Sequence, residues 1–195
     1  MLSLALTDAL LCMVAAWLAS RTHYSVGYRM AFALLAISAM LGFLRFSDIY
    51  PLETWHPLFS LLSASAAMPL LAICALAPES LVANRKQFTL IFLGVAMLLG
   101  LFISGLGKLR IYDHALGLLS MLAILIAMLK QDESKRALGA ALMLTGSLLF
   151  VLKISVPPWL LPGDFLHIGM ALGLLLAAPV HQMGSTLVTE AEVTA

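Results

Sequence analysis

Apolar residues in this chain come in long runs, separated by short clusters that hold nearly all of its charge. Seven such runs cover about residues 2–20, 29–47, 56–77, 88–107, 111–130, 136–155 and 163–183. A helix rises about 1.5 Å per residue, so roughly 20 residues cross a hydrocarbon core of about 30 Å. Membrane-crossing strands would be about 10 residues long and would alternate in polarity. Stretches such as 116–129 do not alternate. The pattern therefore predicts an all-α fold, a polytopic transmembrane bundle of about seven helices. Only residues 107–110 separate the fourth and fifth runs, and partitioning that stretch differently gives a six-helix reading.

Composition sharpens the class. Hydrophobic residues make up 62% of the 195 positions and charged residues only 11%. A soluble domain carries about 25% charged residues, because its surface must face water. A mean hydropathy of +1.03 agrees with a bilayer as the solvent. The net charge of +1 and the absence of a basic stripe exclude nucleic-acid binding. Cys12 and Cys74 both fall inside predicted spans, where a thiol serves as a small apolar filler. Residues 1–21 lack a basic leader region and carry Asp8, so they read as a retained first helix rather than a cleaved signal. The expected organisation is one transmembrane domain, 1–184, and a short disordered tail, 185–195.

Charge in the connections sets the expected orientation. Those after helices one, three and five hold Arg21, Arg29, Arg85, Lys86, Lys130, Lys135 and Arg136. Those after helices two, four and six hold Arg45, Lys108, Arg110 and Lys153. The richer side is expected to be cytoplasmic, which places the N-terminus outside and the C-terminus inside. The expected location is a bacterial-type inner (plasma) membrane.

Polar residues laid onto this topology gather at one end. Ionisable groups in a span are costly and usually face a bundle interior or a water-filled cavity. Asp8, Arg45, Asp48, His56, Asp113, His114, Lys153, Asp164 and His167 all fall at the predicted outer ends of their helices. His56, Ser60 and Ser63 share one face of helix three, and Asp164 and His167 share one face of helix seven. Asp113 and His114 are adjacent, so their side chains point about 100° apart on a helix. Asp8, Arg45, Asp48, Ser60, Asp113, Lys153 and Asp164 are candidates for a pocket that binds a lipid or small ligand. Asp8 lies too deep to reach water, and Arg45 and Lys153 are its expected charged partners. Asp164 also suits an N-terminal cap for helix seven. On the opposite side, the basic residues of 131–136 are expected to lie in a solvated loop.

His56, His114 and His167 raise a sharper expectation. Three neutral imidazoles with one open position make a catalytic zinc site, which would activate water. Asp8 or Asp164 would then serve as general base. Two histidines on facing helices are also what a b-type haem needs. Helix count and a Ser/Asp/His inventory are similar to those of the superfamily of alkaline ceramidases and progestin/adiponectin-type receptors. That superfamily's last-helix H-x-x-x-H is replaced here by Asp164-x-x-His167, and its early S-x-x-x-H stands reversed as His56-x-x-x-Ser60. Membership is therefore not assigned. Three functions remain: a binding protein for a lipid or small ligand, a metal-dependent membrane hydrolase, and a proton-coupled small-solute transporter. Elsewhere, Gly169 and Gly173 form a G-x-x-x-G match expected to let a neighbouring helix of the same chain approach closely.

Overall fold

The computed structural model describes residues 2–48, 54–106, 111–156 and 159–179. Among the described residues eight helices follow one another: α1 Leu2–Ser20, α2 Val26–Phe46, α3 Trp55–Leu76, the single turn α4 Leu81–Asn84, α5 Lys86–Gly100, α6 Ile111–Lys130, α7 Ser134–Val151 and α8 Pro162–Ala177. The seven predicted runs correspond to these helices without the short α4. Six are long and apolar enough to cross a membrane; α8 has 16 residues. At 1.5 Å per residue α8 is about 24 Å long. The proposed tail, 185–195, and the break at 107–110 lie outside the described residues.

The core is inside-out by the standard of a soluble protein. Alanines fill much of it, including Ala15, Ala31, Ala66, Ala67, Ala140 and Ala171, all inaccessible. Large apolar side chains point outward instead: Leu98 and Phe102 are each 68% exposed. In water such a surface would drive aggregation, whereas lipid chains solvate it without penalty. Trp17 lies toward one end of the bundle, where Arg21 stacks on its ring 4.2 Å away, and Trp55 and Trp159 are exposed at the other. Tryptophans at both levels mark the two membrane–water interfaces. The chain is an integral membrane helix bundle.

Six helices close a ring. α1 packs against α2 and α8, α8 against α7, α7 against α6, and α6 against α3, which returns to α2. α5 lies outside, against the middle of α3. Glycines set the tightest joints. A Cβ on Gly139 would meet Gly173 O at 2.6 Å, and one on Gly169 would meet Leu142 O at 2.8 Å. The G-x-x-x-G pair of α8 therefore seats against α7 within one chain, as its spacing suggests. Gly100 of α5 likewise leaves room for the Ser65 side chain.

Two departures from regular helix were not legible in the pattern. α3 opens into π-helical turns at Ser63–Ala67, with only Met68 between them and Pro69. Proline has no N–H for the carbonyl four residues back, and the wider turn absorbs the mismatch. α5 continues past Gly100 in π-helical turns, Leu101–Leu106. At the end of the bundle where α1 finishes, Arg136 differs from the expected solvated loop residue. It is buried, pairs with Glu133, and its Nε donates to Ala177 O at 3.0 Å. It thus satisfies a carbonyl at the end of α8 that has no helical partner.

Candidate functional site

Alternating helix direction brings the starts of α1, α3, α6 and α8 together with the ends of α2 and α7. Between them lies a cavity of about 150 Å³ lined from all six ring helices. That volume suits one small organic group of roughly benzene size, not an entire lipid. Its lining is divided. Asp8, His56, Ser60, Asp113, His114 and His167 lie toward the end where α3, α6 and α8 begin. Leu11, Met68, Met121 and Met170 follow one or more turns further into the bundle. A polar mouth over a mainly apolar floor results, with Ser38, Ser63 and Ser147 among the deeper lining.

The α1–α8 wall carries a buried polar network. Asp8 is 1% exposed and Asp164 fully inaccessible. Asp8 Oδ1 lies 3.4 Å from His167 Nδ1. Thr7 Oγ1 is 2.9 Å from Asp164 Oδ1, 3.1 Å from Leu4 O and 3.4 Å from His167 Nδ1. Asp164 Oδ2 accepts from the Leu161 backbone N–H at 2.7 Å. Asp164, the third residue of α8, thus caps the helix start by reaching back to the Leu161 N–H, and its other oxygen anchors α1 through Thr7. Asp8 has room only because α2 offers a glycine: a Cβ on Gly42 would overlap its carboxylate atoms. Among the described residues, Asp8 Oδ2 and Asp113 Oδ1 are buried without a hydrogen-bond partner.

The α2–α3 wall is built differently. Arg45 Nη1 lies 3.1 Å from His56 Nδ1, and the Phe46 ring packs edge-on against the same imidazole. Ser60 Oγ donates to His56 O at 2.9 Å and lies 3.4 Å from His56 Nε2. Ser63 donates to Leu34 O from the π-helical segment. On the third wall, His114 is exposed and packs edge-on to Phe150, with ring centroids 5.9 Å apart.

The expected candidates thus fall into three groups. Asp8, Ser60, Asp113 and all three histidines line the cavity. Arg45 and Asp164 stand one contact behind it, on His56 and Thr7 respectively. Asp48 and Lys153 are exposed at the ends of α2 and α7, with φ of 54° and 55°. The expectation that Arg45 and Lys153 pair with Asp8 is corrected: Arg45 serves His56, and the neighbour of Asp8 is His167. Asp113 and His114 diverge on α6, yet both reach the cavity, because its mouth spans more than one face of that helix. Gly42, Met121 and Phe150 carried no signal in the sequence, since only their neighbours across the bundle give them a role.

Metal binding needs ligands that converge. Among the described residues no three His, Cys, Asp or Glu side chains are grouped so that they could hold one ion. The three imidazoles share a cavity without forming a common zinc site in this arrangement.

No curated protein and no solved structure matches the chain. A family model does match, over residues 3–180, which include every wall of the cavity. The chain belongs to that family, described as a family of unknown function (DUF6962).

Proposed function

We propose that this membrane protein binds a small ligand in the cavity at one end of its helix ring, on the outer side of the membrane. The observation that carries the reading is the pair of buried carboxylate oxygens on the cavity wall, Asp8 Oδ2 and Asp113 Oδ1, that lack a partner among the described residues. Burying a carboxylate oxygen without a donor is costly, and within a membrane water does not freely make up the loss. A ligand that donates hydrogen bonds recovers that loss. The apolar floor then receives the ligand's hydrocarbon part, so a small molecule or the polar end of a lipid fits. The cavity volume restricts what enters to a few heavy atoms beyond the polar group.

A second reading has its own support. Asp8 and Asp164 are both buried, and among the described residues no Lys or Arg pairs with either. Such a network around Thr7 and His167 suits a site that holds and releases a proton, as a proton-coupled transporter requires.

Thermal unfolding of the purified protein against a panel of small neutral, cationic and anionic molecules tests the first reading. Gly117 lines the cavity, and a Cβ there would meet nothing within 4 Å. Gly117→Leu therefore fills the space while sparing the helix. A molecule that raises the unfolding midpoint of the wild type, but not of Gly117→Leu, supports binding in the cavity. A full panel without any such difference removes the reading. Solute flux into proteoliposomes that Asp8→Asn abolishes would move the conclusion to transport.

A further inference from the structure

Charge around the cavity is unbalanced. Asp8 lines it from α1 and Asp113 from α6, which stand opposite each other in the ring. Asp164 lies just behind, on Thr7. Asp8 is 1% exposed, and its Oδ2 has no partner among the described residues. Among those residues no Lys or Arg forms an ion pair with any of the three carboxylates. The nearby cation, Arg45, is already engaged with His56. Carboxylates set in low-dielectric walls focus a negative potential into the space between them. That field repels an anion and draws in a cation.

Hydrogen bonding shows where the cation's head belongs. A guanidinium only donates, so Arg45 Nη1 at 3.1 Å obliges His56 Nδ1 to accept. A neutral His56 then keeps its proton on Nε2, and the α2–α3 wall has a donor to offer. His167 is the reverse. The one hydroxyl proton of Thr7 is directed at Asp164 Oδ1 or Leu4 O. Toward His167 Nδ1, Thr7 Oγ1 can then only accept, and Asp8 Oδ1 is a second acceptor at 3.4 Å. The proton of a neutral His167 therefore sits on Nδ1, and Nε2 is left as a lone pair on a ring that lines the cavity. A carboxylate on the N–H side of an imidazole makes the far nitrogen a better acceptor.

Size and lining define the rest of the occupant. A cavity of about 150 Å³ is far larger than a bare metal ion, and among the described residues no three ligand side chains converge. An apolar cavity of that volume holds a molecule of about six heavy atoms. Leu11, Met68, Met121 and Met170 supply apolar surface for a short hydrocarbon part. Resting on the ligand-binding reading above, we infer that the cavity binds a small primary alkylammonium ion. Its head donates to His167 Nε2 in the field of Asp8 and Asp113, and its methylenes lie against the methionines.

The test uses the full chain in lipid nanodiscs at neutral pH, with 15N-labelled histidine and butylammonium as the probe. Imidazole nitrogen signals are assigned by their loss in His56→Gln and His167→Gln. Without ligand, His56 should be protonated on Nε2 and His167 on Nδ1. Butylammonium should shift the His167 Nε2 signal saturably, and not in Gly117→Leu. Butan-1-ol, which has the same shape without charge, should need at least tenfold higher concentration. So should butyrate, tetramethylammonium, which has no N–H, and sodium. Asp8→Asn should weaken butylammonium binding at least tenfold. Arg45→Gln removes the opposing charge and should tighten it, a gain that misfolding does not produce. Equal or tighter binding of any of the four comparison solutes overturns the inference and leaves the cavity a binding site. Unchanged affinity in Asp8→Asn overturns it, as do weaker binding in Arg45→Gln and a His167 protonated on Nε2. Absence of any shift with butylammonium overturns it too. Ligand binding itself falls only if the wider panel shows no difference between wild type and Gly117→Leu.

Discussion

Replacing Gly42 by alanine probes the placement of Asp8 directly. A Cβ at this position would lie 2.7 Å from Asp8 Cγ and 2.8 Å from Oδ1, with Oδ2 closer still. Carbon–carbon contact normally needs about 3.5 Å or more. The carboxylate has little freedom to retreat, since Asp8 is 1% exposed and its other side faces His167. Overpacking of this kind costs about 1–3 kcal/mol. Alanine in a helix interior recovers about 0.8–1 kcal/mol relative to glycine. Gly42→Ala should therefore destabilise the protein by roughly 0–2 kcal/mol. Gly117→Ala is the control, because open space surrounds its Cβ; only the helix term applies, and it should stabilise by about 0.8–1 kcal/mol. Reversible unfolding in mixed detergent micelles, followed by the fluorescence of Trp17, Trp55 and Trp159, measures both. A double-mutant cycle with Asp8→Ala assigns the cause, since neighbours in contact couple by about 0.5–3 kcal/mol. In that background Gly42→Ala should become stabilising, like the control. If Gly42→Ala stabilises the wild-type chain as much as Gly117→Ala does, Asp8 does not lie against α2, and the site as described is wrong.

Other substitutions test the frame around the cavity. Gly146→Val should cost more than about 2 kcal/mol, because its Cβ meets backbone, Phe165 O and Gly169 Cα, which cannot rotate away; an unfolding midpoint equal to wild type would contradict the α7–α8 joint. Arg136→Leu should cost about 1.5–3 kcal/mol by leaving the Ala177 carbonyl without its charged donor, and Arg136→Gln should recover part of it in the same unfolding assay. Asp164→Ala removes the acceptor at Leu161 N and should cost about 0.5–2 kcal/mol. Hydrogen exchange at the first turn of α8 should quicken in that variant and remain unchanged at the far end of the helix.

How much of this was legible in the sequence follows from the kind of force involved. The length and apolarity of each run fixed the fold class, because a bilayer of constant thickness imposes one element length on every crossing. Helix periodicity and alternating direction also placed His56, His114, His167, Asp8 and Asp113 at one end, where all five line one cavity. The capping role of Asp164 was readable too, since a cap acts within a single turn. Contacts between helices were not readable. Asp8 met His167 rather than Arg45 or Lys153, because the ring order places α1 beside α8, and because Arg45 finds His56 only 11 residues further along the chain. Charge type alone carries no information about which helix stands next to which. Gly42 has meaning only as the surface against which a carboxylate fits, and the tautomers of His56 and His167 depend on neighbours from other helices. Solvent fixed the architecture through local composition. The chemistry of the cavity was decided by packing across the ring.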